Sequence, residues 1–143
     1  MKKILCSTGA LIGMPNNRDF SLIKKCVPNI NSDGFEFMMY STWYDKVPNL
    51  LKELKKCETE FPVMHCEKHI GEDLGKNADG NFYTAKEKFK VNCEIANEIG
   101  AKRMVMHLWD GIYSDTTIEN NIKGYGELIK IAEENEIDLH IEN

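Results

Sequence analysis

Two histidines and one glutamate stand at corresponding points of three segments that are predicted to be β-strands. They are His65, His107 and Glu142, separated by 42 and 35 residues, and each separation is about one strand–helix unit. The carboxyl ends of parallel strands meet at one side of a sheet, where active sites are built. Imidazole and carboxylate groups that converge there suit a divalent cation. Two histidines and a glutamate favour Zn²⁺ or Mn²⁺, and a set richer in carboxylates favours Mn²⁺ or Mg²⁺.

Other side chains near the same strand ends extend this candidate site. A single histidine at a strand end is more often a hydrogen-bonded structural residue than a ligand, but three ligand-type residues on successive strands favour a metal site. Glu36 on the second strand either points into the same cleft or forms a structural ion pair. Trp43 and Trp109 follow strands and either wall a substrate pocket or cover the core. His69 is expected on the surface, and His140 is expected to pack inside the sheet.

Strand and helix patterns alternate along the whole chain. The predicted strands are Ile4–Ser7, Gly34–Tyr40, Phe61–Cys66, Arg103–Leu108 and Ile137–Asn143, and the predicted helices run over Phe20–Cys26, over Leu50–Cys57, from Thr84 to Gly100 and onward from Thr116. Strands that alternate with helices indicate a parallel sheet covered by helices. No linker or low-complexity segment divides the chain, so residues 1–143 are interpreted as a single domain.

The third predicted helix carries clear start, face and stop signals. Thr84 and Glu87 form a capping box, and Gly100 supplies the stop. Its buried face is expected at helical spacing: Ala85, Phe89, Cys93 and Ala96. The last helix is expected to bury Ile118, Ile122, Tyr125, Leu128 and Ala132. The polar segment Glu67–Asn81 is interpreted as a long loop of functional importance.

Length and site placement favour different architectures for these five strands. A chain of 143 residues fits an open flavodoxin-like sheet, whereas a closed (β/α)8 barrel typically needs about 250 residues. The ligand-type residues at successive strand ends favour the barrel instead, and the chain would then supply its first five strands.

Composition excludes several classes of protein. The chain is 42% hydrophobic and 29% charged, which is typical of globular proteins and excludes disordered and collagen-like chains. Its net charge is −5 and it has only two arginines, Arg18 and Arg103, which argues against broad nucleic-acid binding. Five cysteines without CxxC spacing, no signal-peptide pattern and no apolar run of about 20 residues predict reduced thiols in a cytoplasmic protein without a membrane span.

Four short motifs, in order, resemble the xylose isomerase-like TIM barrels. The segment Glu98–His107 (EIGAKRMVMH) resembles the "lGa..vv.H" pattern of that superfamily, and Asp138–Asn143 (DLHIEN) resembles its strand-5 "l.iEN" signature. Pro62–His65 is similar to the strand-3 "p..H" and Asp33–Glu36 to the strand-2 "fdG.E". The superfamily includes sugar isomerases and epimerases, inosose dehydratase-like enzymes and the AP endonuclease IV family. The resemblance implies an incomplete (β/α)8 TIM barrel of five strands and four helices.

The resemblance also implies a metal-dependent reaction. Glu142 would be a metal ligand, and in epimerase-type members the corresponding glutamate also transfers a proton. His65 and His107 match metal ligands of the endonuclease branch, while in the sugar branch the strand-4 histidine lies nearer to the substrate. For a sugar, the implied chemistry is proton transfer next to a carbonyl through an enediolate. Members of the superfamily draw further ligands from strands 6 to 8, so the site is expected to be incomplete in five strands.

Three functions remain open from the sequence. A sugar or sugar phosphate isomerase or epimerase is favoured by the acidic charge and by the scarcity of arginine. An AP endonuclease IV-like phosphodiesterase is favoured by the His65 and His107 pair. A truncated, catalytically incomplete fragment is favoured by the strand count, and such a fragment is expected to self-associate through exposed sheet edges.

Overall fold

The computed structural model describes residues 3–76, 79–108 and 118–142, with only the backbone of residues 79–82. Five strands and five α-helices are described, in the order β1 (Cys6–Ser7), α1 (Ile23–Cys26), β2 (Phe35–Met38), α2 (Val47–Leu54), β3 (Val63–His65), α3 (His69–Lys76), α4 (Asp79–Ile99), β4 (Arg103–His107), α5 (Ile118–Glu134) and β5 (Asp138–Glu142). Within that part of the chain, no helix is long and apolar enough to cross a membrane.

The five strands form one parallel sheet in which spatial order equals chain order. This order decides between the two predicted architectures, because a flavodoxin-like sheet places its second strand at one edge, in the order 2-1-3-4-5. The sequential order is that of a barrel wall, so the flavodoxin-like alternative is wrong. The register sets His65 opposite Val105 and Glu142 opposite His107. Because paired residues point to the same side, these ligand-type side chains share one face of the sheet.

The two faces of the sheet differ in burial. The outer face packs against the helices, and its strand residues Phe35, Phe37, Met64, Met104 and Met106 are fully buried. They belong to a single hydrophobic cluster that also holds the predicted α4 face, Ala85, Phe89, Cys93 and Ala96. The inner face stays partly open to solvent, with β5 the most exposed strand. A sheet covered by helices on one side and open on the other is the wall of a barrel.

The segment predicted as a loop, Glu67–Asn81, contains a helix, so that prediction is wrong. Helix α3 spans His69–Lys76, and its Ile70 and Leu74, one turn apart, are fully buried. Helix α4 already begins at Asp79 rather than at Thr84, so the Thr84 and Glu87 pair lies inside a helix and does not start one. Helix α3 was not predicted because its sequence is polar, contains two glycines and lacks a long apolar stripe.

Two further predictions on the helices have mixed outcomes. Gly100 ends α4 with a φ of +78°, in the left-handed region that glycine adopts readily, so the predicted stop is confirmed. In α5, Leu128 and Ala132 are buried as expected, but Ile122 is 59% exposed and its neighbour Asn121 is fully buried instead. The helix is therefore rotated so that a polar residue enters the interior. The predicted cap at Thr116 lies outside the described residues.

Candidate metal centre

His65, His107 and Glu142 converge at the carboxyl ends of β3, β4 and β5. One ligand atom from each residue can be chosen so that all three atoms lie within 4.8 Å of one another. The Nε2 atom of His65 is 3.1 Å from Oε2 of Glu142, and the two imidazole rings are 5.0 Å apart between centroids. Three ligand atoms at this spacing can surround one divalent cation, with open positions left for water or substrate.

The hydrogen bonding of His65 fits a metal ligand. Its Nδ1–H donates to the carbonyl oxygen of Cys66 over 3.0 Å, because a carbonyl can only accept. The other ring nitrogen, Nε2, points to Oε2 of Glu142 over 3.1 Å. A ring that carries its only proton on Nδ1 would offer the Nε2 lone pair to a cation shared with that carboxylate. A donating Nδ1 that fixes the ring is also the usual support of a metal-bound histidine.

Burial differs strongly among the three residues. The His65 side chain is 6% exposed, whereas that of Glu142 is 56% exposed. The difference arises because β3 lies in the middle of the sheet and β5 lies at its edge. The site therefore has a dry side formed by the strands and a wet side at the edge of the sheet.

Backbone contacts around His107 fix the end of β4. Gly71 of α3 approaches so closely that a Cβ there would lie 2.4 Å from the carbonyl oxygen of His107. The buried side chain of Asn121 donates from Nδ2 to the carbonyl oxygens of Gly71 and Leu108, over 2.8 and 2.6 Å. Helices α3 and α5 thereby hold the strand end that carries His107.

A cavity of about 90 Å³ adjoins the two histidines. Besides His65 and His107, its walls include the basic side chains Arg18, Lys68 and His69 and the buried carboxylate of Glu67. The cavity can hold a small polar group of a ligand next to the histidines.

Glu67 is a buried carboxylate with an incomplete set of partners. One of its oxygens accepts from the backbone N–H of His69 and from Nδ1 of that ring, which caps α3. The other oxygen has no hydrogen-bond partner among the described residues and lies 3.9 Å from the Lys88 ammonium. Asn92 accepts from the Glu67 N–H and donates to the hydroxyl of Tyr44. Burial, together with the nearby Glu67 charge, raises the pKa of the Tyr44 phenol far above its ordinary value.

The remaining candidate residues occupy different places. Glu36 shares the inner face with His65 but sits deeper, and it accepts from the Ser7 hydroxyl over 3.2 Å. Trp43 is only 2% exposed and packs against core aromatic rings, so it covers the core in this structure. Trp109 lies outside the described residues.

The predictions for the other two histidines have different outcomes. His140 does not pack inside the sheet, and that prediction is wrong. Its strand lies at the edge, and the exposed ring contacts Asp138 over 2.9 Å. His69 is partly exposed, as a surface residue should be, but it also lines the cavity and contacts Glu67.

Three residues near the site were not among the predicted site residues: Arg18, Glu67 and Asn121. Glu67 begins the segment that was predicted as a loop, and its burial depends on α3, which the sequence analysis did not predict. A sequence signal for Asn121 does exist, because positions 118, 121, 125, 128 and 132 also follow heptad spacing. Arg18 reaches the cavity through a loop whose backbone path no motif specifies.

Solved structures with a similar arrangement of strands and helices include an epimerase and an epimerase-like protein. The chain superimposes on the 3-keto-D-glucoside 4-epimerase of E. coli with a TM-score of 0.65 and 11% sequence identity, over 99% of this chain and 56% of that one. It superimposes on a D-tagatose 3-epimerase-like protein with a TM-score of 0.69 and 20% identity, over 99% of this chain and 53% of that one. No protein-family model and no curated protein matches the sequence.

The chain has the fold of a partial TIM barrel. The expected resemblance to the xylose isomerase-like barrels is confirmed at the level of the fold. The chain spans about half the length of the solved structures it matches. Its five strands correspond to five of the eight strands of a closed barrel.

Proposed function

We propose that this chain forms part of a metal-dependent isomerase or epimerase that acts on a sugar or a sugar phosphate. The observation that carries the proposal is the convergence of His65, His107 and Glu142, whose ligand atoms lie within 4.8 Å of one another. The fold shared with an epimerase and an epimerase-like protein supports it, and both names refer to sugars. Because the chain spans about half of those proteins, the proposal concerns what these five strand–helix units contribute.

The proposed reaction is proton transfer next to the carbonyl group of the sugar. When bound, a divalent ion supplies positive charge beside the carbonyl oxygen, which acidifies the adjacent C–H bond. The carboxylate of Glu142 removes that proton as a general base and leaves an enediolate of the substrate. Return of the proton to the neighbouring carbon, with proton transfer between the two enediolate oxygens, gives the isomer. Delivery of a proton to the opposite face of the same carbon gives the epimer and requires a second acid on that face.

The two histidines have a holding role in this proposal. His65 offers Nε2, because its Nδ1–H is engaged by the Cys66 carbonyl oxygen. His107 is positioned by the contacts of its strand end with α3 and α5. Zn²⁺ and Mn²⁺ are the ions that best suit two imidazoles and one carboxylate.

Zinc titration of the 143-residue chain tests the metal site without needing a substrate. Competition with a fluorescent chelator should show one bound Zn²⁺ per chain, and Glu142→Ala should weaken its binding by about tenfold or more. His140→Ala is the matched control, because His140 lies on the same strand and face but pairs with Asp138 outside the cluster. A zinc affinity that Glu142→Ala leaves unchanged would refute the site.

Hydrogen–deuterium exchange tests the chemistry. The chain is incubated in D₂O with Zn²⁺ or Mn²⁺ and a panel of ketoses and ketose phosphates, and NMR follows the proton next to the carbonyl. We expect metal-dependent exchange that Glu142→Gln abolishes, because the amide cannot accept the proton. Exchange of equal rate in the Glu142→Gln variant would contradict the role of this carboxylate.

A further inference from the structure

Arg18 is a cation on the wall of the cavity that contains His65 and His107. The whole chain is acidic, with a net charge of −5 and only two arginines. The cavity nevertheless collects Arg18, Lys68 and His69 around a single carboxylate, that of Glu67. Glu67 directs one oxygen to the amino end of α3 rather than to Arg18. The lining therefore places the cations Arg18 and Lys68 near one carboxylate in a protein that is acidic overall.

The guanidinium of Arg18 lacks a carboxylate partner. Among the described residues no acidic group forms an ion pair with it, although most of the lysines in that part of the chain have one. Its Nε–H is buried and has no hydrogen-bond partner there. Protein structures seldom leave a buried donor of a charged group without an acceptor. The Nε atom itself is sealed from the cavity, so a ligand there would meet the guanidinium charge through its terminal N–H groups.

The backbone and the ring beneath Arg18 hold it in place. Asn17 and Arg18 have φ values of 55° and 51°, so two successive residues other than glycine are left-handed, which is uncommon. The N–H of Arg18 donates to the Gly13 carbonyl, and its own carbonyl accepts from Nε1 of Trp43 over 2.8 Å. The guanidinium carbon lies 4.9 Å from the centroid of the Tyr40 ring. The side chain is thus set for binding before any ligand arrives.

We infer that Arg18 binds an anionic group of the substrate, a phosphate or a carboxylate. This inference rests on the proposed function and narrows its substrate class to acidic sugars. A planar guanidinium matches both kinds of oxyanion through paired N–H donors. The anionic group would lie in this cavity beside Arg18, and the sugar carbons would extend along the inner face of the sheet from His65 and His107 toward Glu142.

Binding measurements on the metal-free chain test this inference. The probes are fructose, fructose 6-phosphate, gluconate and inorganic phosphate, and chelated buffer prevents binding through a metal. We expect fructose 6-phosphate or gluconate to bind about tenfold or more tightly than fructose, and the two probes identify which anion is preferred. Arg18→Ala should abolish the preference, and Arg18→Lys should keep part of it. Arg103→Ala is the matched control, because Arg103 is the other arginine and lies at the opposite end of β4.

A second measurement on the unmodified chain guards against misfolding of the variants. The chain has two arginines, so ¹⁵N NMR should give two Nε–H signals, which Arg103→Ala assigns. Phosphate should shift the Arg18 signal and leave the Arg103 signal in place. Equal binding of neutral and acidic sugars, or an Arg18 signal that phosphate does not move, overturns the inference. If zinc binds but acidic sugars are not preferred and the Arg18 signal does not shift, the Arg18 inference fails and the proposed metal site stands. If only zinc binding is absent, the metal site fails and the Arg18 inference stands.

Discussion

Gly71 allows α3 to touch the strand end that carries His107, and replacing it should damage both stability and the site. A Cβ at this position would lie 2.4 Å from the carbonyl oxygen of His107. Ordinary C···O contacts are about 3.3–3.6 Å, so Gly71→Ala must separate the helix from the strand by roughly 1 Å. In α5, a Cβ at Gly126 would meet no atom within 4 Å, so Gly126→Ala is a matched control in another helix.

The two variants should change the free energy of unfolding in opposite directions. Alanine stabilises a helix relative to glycine by about 1 kcal/mol, and Gly126→Ala should gain most of that. At Gly71 the same gain is opposed by about 1–3 kcal/mol of overpacking. The separation also stretches the bonds from Asn121 to the Gly71 and Leu108 carbonyls, each worth about 1 kcal/mol. We expect Gly71→Ala to lower the free energy of unfolding by about 1–3 kcal/mol in total.

Urea unfolding and zinc titration measure these effects together. Gly126→Ala should raise the urea midpoint without changing zinc affinity, and Gly71→Ala should lower the midpoint and weaken zinc binding by about tenfold, because His107 is displaced. If Gly71→Ala were as stable as Gly126→Ala and bound zinc like the parent chain, the close contact would not position His107.

Two further predictions concern titratable groups. Hydrogen bonds from Lys24 and Lys56 lower the pKa of Glu53 from 4.5 to about 2, so its contribution to stability is present above about pH 4.5 and is lost as the pH falls toward 2. Urea midpoints of Glu53→Gln should therefore vary less over that window than those of the parent, and equal dependence would contradict the pairing. Burial raises the pKa of Cys66 well above its ordinary value and that of Cys93 to about 12, so neither thiol should react with a disulfide reagent at pH 8 until urea is added. Fast reaction of all five cysteines in the native chain would contradict this burial.

The strand pattern could be predicted because apolar runs and turn residues mark it directly. All five strands fall within their predicted segments, and the β3, β4 and β5 ends bring His65, His107 and Glu142 together as the alternation of side chains requires. The choice between open sheet and barrel was not fixed by strand content. It depended on strand order, which reflects long-range pairing rather than local pattern.

The parts that sequence reasoning missed depend on tertiary contacts. Helix α3 is stabilised by the burial of Ile70 and Leu74 and by the close approach of Gly71 to β4. Its polar sequence does not indicate these contacts. Asn121 is buried because two backbone carbonyls from other elements need its Nδ2 donor. His140 is exposed because its strand is at the edge, which the sequence of one strand does not specify.

The outer face of the sheet packs in the hydrophobic core, and the inner face carries the candidate metal site. The edge strand β5 contributes to the inner face through Glu142. The outer face buries residues such as Phe37 and Met104 under the helices, so the sheet does not need closure to hold a core. On the inner face, water surrounds the Glu142 carboxylate and weakens its attraction for a cation, since charge interactions fall with the local dielectric constant. Any element that covers the free edge of β5 would bury Ile141, which is 42% exposed, and would dry Glu142 at the same time. If the proposed metal site binds a cation, an element that covers the edge would change the affinity for that cation, and by thermodynamic reciprocity the cation would change the affinity for that element by the same factor.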